Sequence, residues 1–186
     1  AQAALYHFYG IDKRPLSHKC FGIFAQRNLA PQHPLLCGLG ETFPMPHSRH
    51  TEVYLGDTDT ESTLQGGDAQ FLPEGLEVLA NSVVGQSIFS DASRHQTFVT
   101  GHLEYKADTL DGEYRRDLAK GLPIAPPLHY YVEDNPEKGI DFSWQQTALL
   151  FYRNWVVTHL GGSTSKDFPY SGANQRVAFG KARKNE

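Results

Sequence analysis

Short apolar runs, each closed by turn residues, alternate in this chain with stretches of helical spacing, and that alternation limits the possible folds more than any other feature. Lys19-Cys20-Phe21-Gly22-Ile23-Phe24, Glu77 to Ser82, Gln86 to Ser90 and Gln96 to Thr100 have the length and bounding residues of strands. Asp108 to Lys120 sets Leu110, Tyr114 and Leu118 on one helical face and charges on the other. Ser143 to Leu160 is a second long helix, with Ser143 as N-cap, Leu149, Leu150, Trp155 and Val156 as its apolar surface, and Gly161-Gly162 as its close. Ala1 to Tyr9 is a third, stopping at Gly10. Strands interleaved with helices predict an α/β domain built on a parallel sheet, with no internal repeat.

At 186 residues the chain has the length of one domain, given roughly 150 residues per domain. Residues 1–160 carry the regular pattern, the polar, Gly-rich stretch 57–75 reads as a surface insertion, and 161–186 as a tail. The segment from Asn28 to Pro46, with Pro31, Pro34, Pro44 and Pro46, reads as loop and leads into His47-Ser48-Arg49-His50. The net charge of −4 argues against nucleic acid as the main partner. No apolar run approaches the roughly 18 residues of a membrane span, so a soluble cytoplasmic protein is expected. Cys20 and Cys37 are too few for a disulfide framework, and the histidines lack the paired spacing of metal ligands.

The sharpest chemical feature is Phe98-Val99-Thr100-Gly101-His102-Leu103-Glu104. An apolar strand runs out into a glycine, and a His and a Glu follow. Sites in open α/β sheets form at the carboxyl ends of strands, where His102 can shuttle a proton and Glu104 can orient its imidazole. His47-Ser48-Arg49-His50 suits recognition of a small polar substrate, and Arg115 and Arg116 can reach a carboxylate; an ordinary loop and a solvated helix face are the plainer alternatives. A base and its carboxylate imply a nucleophile. Ser48 has no G-x-S-x-G elbow, Cys20 reads as a buried small hydrophobe, and Cys37 has no helix start behind it to lower its pKa.

Ala1-Gln2-Ala3-Ala4-Leu5, Tyr9-Gly10-Ile11, Lys19-Cys20-Phe21-Gly22, Pro46-His47-Ser48-Arg49, Phe98 to Tyr105, Glu113-Tyr114-Arg115-Arg116-Asp117, and Ser143-Trp144 through Asn154-Trp155 together resemble the homoserine O-acyltransferases. These are the O-succinyl- and O-acetyltransferases of methionine biosynthesis, related to class I glutamine amidotransferases. The resemblance implies a flavodoxin-like α/β fold and acyl transfer from acetyl-CoA or succinyl-CoA to the hydroxyl of L-homoserine through a cysteine thioester. It puts His102 on the catalytic base, Glu104 on its acidic partner, and Lys19, Ser48 and Arg116 on substrate-binding positions, with Arg116 taking the homoserine carboxylate. It implies no cofactor beyond acyl-CoA as co-substrate, no metal, and a homodimer.

The family's nucleophilic cysteine stands in a Cys-Trp-small segment that would end just before Ala1. The expectation is therefore that these residues are the C-terminal portion of such an enzyme, inactive until an N-terminal segment supplies the thiolate and covers the exposed sheet edges and helix faces. Two positions depart from the family: Leu103 stands where proline is common, and 57–75 is longer than expected. Acetyl transfer is slightly favoured over succinyl. L-serine as acceptor, a glutaminase of the amidotransferase class and a non-catalytic module remain as rivals. Homoserine and serine differ by one methylene, worth only about 1–3 kcal/mol in a pocket.

Overall fold

The computed structural model describes residues 1–53, 55 and 72–161. The 57–75 insertion, apart from 72–75, and the tail beyond Gly161 lie outside the described residues. Helix α1 (Gln2–Tyr9) ends at Gly10, whose φ of +69° is the left-handed conformation that glycine adopts without a Cβ penalty. Strands β1 (Lys13–Asn28), β2 (Thr42–Val53), β3 (Glu77–Ser82), β4 (Gly85–Asp91) and β5 (Gln96–Val99) follow, then α2 (Thr109–Ala119) and α3 (Gln145–Leu160).

The strands form one sheet in the order β2-β1-β3-β4-β5, and every described strand pair is antiparallel. The chain is an α/β domain as expected, but these strands do not form the parallel sheet that the sequence suggested. The connections explain the difference: β3, β4 and β5 are joined by tight turns, which can only link antiparallel neighbours.

Two elements are larger than their sequence signals. The run 19–24 is the middle of a 16-residue strand, β1, which begins at Lys13 and extends to Asn28. The stretch from Thr42 to Val53, read as loop as far as Pro46, is the long strand β2. Its prolines are tolerated because β2 is an edge strand. Pro44 and Pro46 lie opposite Ala25 and Ile23, two residues apart, so both missing N–H groups fall on the side away from β1.

Alternation along β1 and β2 separates two cores. On one face Phe21 and Ile23 pack with Leu110 of α2, Tyr130, Tyr131 and Trp144. On the other, Phe43 and Met45 pack with Leu79, Ile88 and Phe151 of α3. A third cluster joins Leu5 of α1 to Val53, Phe89 and Phe98. α3 departs from expectation in its facing: Thr147 and Phe151 are its buried residues, whereas Leu149, Trp155 and Val156 are exposed, and Ser143 makes no cap hydrogen bond.

Gly22 is required by close approach. A Cβ there would lie 2.3 Å from the Leu128 carbonyl oxygen, where the 128 segment runs beside β1 and Ile23 donates its N–H to that same oxygen.

Candidate active site

The turn after β5 is held against the outer edge of β2. The His102 N–H donates to the Pro46 carbonyl at 2.8 Å, using the edge face of β2 that has no strand partner. Gly101 makes this contact possible: a Cβ at 101 would stand 2.3 Å from Met45 Sδ and 2.9 Å from the Pro46 oxygen. The turn at the end of one edge strand is thereby fixed to the opposite edge, and the sheet curls to bring them together.

His102 Nδ1 and Glu104 Oε1 are 2.8 Å apart. Burial opposes ionisation of Glu104, but the hydrogen bond and charge of His102, with a hydrogen bond from Tyr152 of α3, hold its pKa below the usual carboxylate value. Glu104 therefore fixes Nδ1 and leaves Nε2 outside that bond. The imidazole is about one-third exposed.

The Tyr105 ring lies parallel to the imidazole, with centroids 4.3 Å apart and 7° between planes. Its hydroxyl donates to Glu113 Oε1 at 3.1 Å. The other oxygen of Glu113 accepts from Ser48 Oγ at 2.6 Å and lies 3.5 Å from Lys19 Nζ. Lys19 also sits 3.6 Å from Asp117 Oδ2 and over the Phe21 ring. Asp117 in turn accepts from Arg116 Nε at 2.7 Å, which depresses its pKa. One contact network thus joins all five residues singled out from the sequence, His102, Glu104, Lys19, Ser48 and Arg116.

Local structure explains how they meet. Lys19 lies in the irregular stretch between the Pro15–Thr51 and Cys20–Arg49 pairs, and such a bulge re-aims side chains. Ser48 is paired with Phe21 and shares its face of the sheet, towards α2. Glu113 and Asp117 are four residues apart on α2, and so on one helical face. Glu113, Tyr105 and Asp117 are the members of the network that had no assigned role from the sequence. Their signal was present in the Glu-x-x-Arg-Asp spacing and the His-x-Glu-Tyr run, but only contact with Ser48 and Lys19 distinguishes Glu113 from a solvated helix residue.

His47 and Arg49 do not join this cluster. They are buried on the opposite face of β2, where Arg49 donates to the Thr51 and Val84 carbonyls. Burial, reinforced by the charges of Arg49 and His102, pushes the His47 pKa down to about 3. Cys20 is buried, with its thiol pKa raised by that burial, and Cys37 is exposed. Among the described residues neither sulfur is hydrogen-bonded to His102, and no group of three or more His, Cys, Asp or Glu side chains is arranged to hold a metal. An open hollow lined by Ile23, Ala25, Phe43, Pro44, His129 and Asp141 touches none of the five residues. No described helix is long and apolar enough to cross a membrane.

The family model described as homoserine O-succinyltransferase matches residues 1–164. The chain is 44% identical over 156 residues to a homoserine O-acetyltransferase of Bacteroides thetaiotaomicron, covering 84% of this chain and 48% of that protein. It is 44% identical over 167 residues to one of Acetivibrio thermocellus, covering 90% and 51% respectively. The chain spans about half the length of the curated relatives it matches. Among solved structures, a glutamine amidotransferase from Thermotoga maritima superposes with a TM-score of 0.56 at 11% identity, over 87% of this chain and 60% of that one. That likeness concerns the fold alone. Given a match over 164 of 186 residues, the chain belongs to the homoserine O-succinyltransferase family.

Proposed function

We propose that this chain carries the base and the acceptor pocket of an enzyme that transfers an acyl group from acyl-CoA to the hydroxyl of L-homoserine through a cysteine thioester, as a step of methionine biosynthesis. The observation that carries the reading is the contact chain from the His102–Glu104 pair through Tyr105 to Glu113, Ser48, Lys19 and Arg116. In it the His102 imidazole stands next to a cluster of two carboxylates, Glu113 and Asp117, and two cations, Lys19 and Arg116. A zwitterionic amino acid suits such a cluster, because it brings one charge of each sign: its ammonium can go to Glu113 and its carboxylate to Arg116.

In the first half-reaction a thiolate attacks the thioester carbonyl of acyl-CoA, the C–S bond to CoA breaks, and protonated His102 gives its proton to the departing sulfur. In the second, His102 Nε2 takes the proton of the homoserine hydroxyl as that oxygen attacks the acyl-enzyme carbonyl, and the enzyme thiolate is released. Glu104 stabilises the imidazolium that stands before the first transfer and is formed again by the second. The thiolate would come from a segment upstream of Ala1, since Cys20 and Cys37 have no hydrogen bond with His102. Acetyl-CoA is the favoured donor, in keeping with the names of the relatives above.

The test is turnover by the complete gene product with acetyl-CoA or succinyl-CoA and either homoserine or serine, alongside His102→Ala. Homoserine-dependent release of CoA that disappears in H102A is the expected result. Ammonia release from glutamine without use of acyl-CoA, or full activity in H102A, would refute the reading.

A further inference from the structure

We propose that Tyr105 is the positioning residue of this site: its ring face fixes the plane of the His102 imidazole while its hydroxyl holds the Glu113 carboxylate, so that the base and the acceptor pocket keep one spacing. The inference rests on the function proposed above and adds a role for a residue that does not itself touch the reacting atoms.

Tyr105 is anchored at both backbone groups. Its N–H donates to the His102 carbonyl at 3.2 Å, and its carbonyl accepts the indole N–H of the fully buried Trp144 at 3.1 Å. The ring lies flat against the imidazole. A lone hydrogen bond from Nδ1 to Glu104 fixes one atom of the imidazole but leaves its plane free to tilt about that bond. A parallel ring at 4.3 Å removes the tilt. The hydroxyl end carries the second function, since the Tyr105–Glu113 bond is the only hydrogen bond among the described residues that runs from the catalytic turn to the α2 carboxylate cluster. Burial and the neighbouring Glu113 raise the pKa of the phenol, so it remains a protonated donor over the working range.

Glu104 holds the His102 imidazole by a hydrogen bond and Tyr105 by its ring face; Tyr152 of α3 acts through Glu104, and Glu113 of α2 through Tyr105. Of these, only Tyr105 both touches the imidazole and reaches the acceptor cluster.

Two substitutions in the complete gene product separate the roles. Tyr105→Phe keeps the stack and removes the hydroxyl, so the KM for the acyl acceptor should rise up to about 10-fold while kcat stays close to wild type. Tyr105→Leu removes the stack as well, so kcat should fall by at least about 10-fold as the imidazole plane is released. Equal kinetics for Y105F and Y105L, or an unchanged acceptor KM in Y105F, overturns the proposal; the second result decides even if Y105L does not fold. An NMR spectrum of the histidine-labelled protein, with His102 assigned by its loss in His102→Gln, reads the stack without turnover. An upfield ring-current shift of the His102 ring protons that persists in Y105F and is lost in Y105L is expected, and ring-proton shifts unchanged in Y105L overturn the stacking role whether or not homoserine proves to be the acceptor.

Discussion

The backbone N–H of His102 donates to the carbonyl of Pro46 at 2.8 Å, so the turn that carries His102 and the strand that carries Ser48 form one mechanical unit. Ser48 lies two residues beyond Pro46 on the same face of β2, and it reaches Glu113 from there. Any change that separates the turn from β2 should therefore disturb the His102–Glu104 pair and the Ser48–Glu113 contact together.

Gly101→Ala tests this coupling. The added methyl would meet Met45 Sδ, which can move, and the Pro46 oxygen at 2.9 Å, which belongs to backbone and cannot move without shifting β2. A loss of about 1–3 kcal/mol in urea unfolding is expected, together with a fall in kcat and a rise in acceptor KM. A variant of wild-type stability and kinetics would show that the turn is not seated on β2 in solution.

Glu104→Gln keeps an oxygen for the Nδ1 hydrogen bond and removes the charge that supports the imidazolium. We expect kcat to fall about 10²-fold with little change in either KM; the effect should be smaller than that of the deeply buried carboxylate of a serine-protease triad, because the Glu104 side chain is 57% exposed. Steady-state kinetics of the complete gene product measure it. A change confined to KM would assign Glu104 to binding instead.

Glu113→Gln should act on the acceptor alone. Loss of the carboxylate charge removes the partner proposed for the substrate ammonium and loosens Lys19, which retains Asp117. The homoserine KM should rise about 10-fold or more, the scale of one hydrogen bond to a charged group, while the acyl-CoA KM stays as it was. Equal effects on both substrates would mean a general loss of structure.

His47 predicts a pH dependence of stability. Its folded pKa lies well below its unfolded value, at about 3 against 6.5, so between those limits the unfolded chain binds more protons than the folded one. The stability it contributes is complete above pH 6.5 and declines as the pH falls towards 3, at no more than about 1.4 kcal/mol per pH unit. Urea midpoints at pH 7, 6, 5 and 4 should fall steadily in the wild type and less steeply in His47→Gln. Parallel slopes would place the acid sensitivity elsewhere.

Much of the architecture was legible in the residues, and the misreadings have physical causes. β3 coincides with the run 77–82, and α2 falls within one residue of the helix read from Leu110, Tyr114 and Leu118, because local periodicity suffices for a strand or helix with one buried face. β2 was hidden because Pro44 and Pro46 argue against a strand unless it is known to lie at an edge, and edge position is a property of the whole sheet. In α3, Phe151 is buried while Leu149 and Val156 are exposed, because the helix turns to β2 the face that the Phe43–Met45 core requires.

By itself the sequence determined the chemistry available to this protein: a His and a Glu two residues apart after a strand and a glycine, a Lys, a Ser and an Arg in recognisable motifs, and an α/β alternation of elements. It also determined the family. Only the tertiary structure decided that these residues share one site, because the contacts responsible span 94 residues from Lys19 to Glu113 and 65 from Ser48 to Glu113. Such contacts arise from strand pairing, a bulge and the curl of the sheet, which no local pattern encodes. The same tertiary packing turned Glu113 from one charge on a helix into the meeting point of Ser48, Lys19 and Tyr105, and Tyr105 from an ordinary aromatic residue into the link between Glu113 and His102.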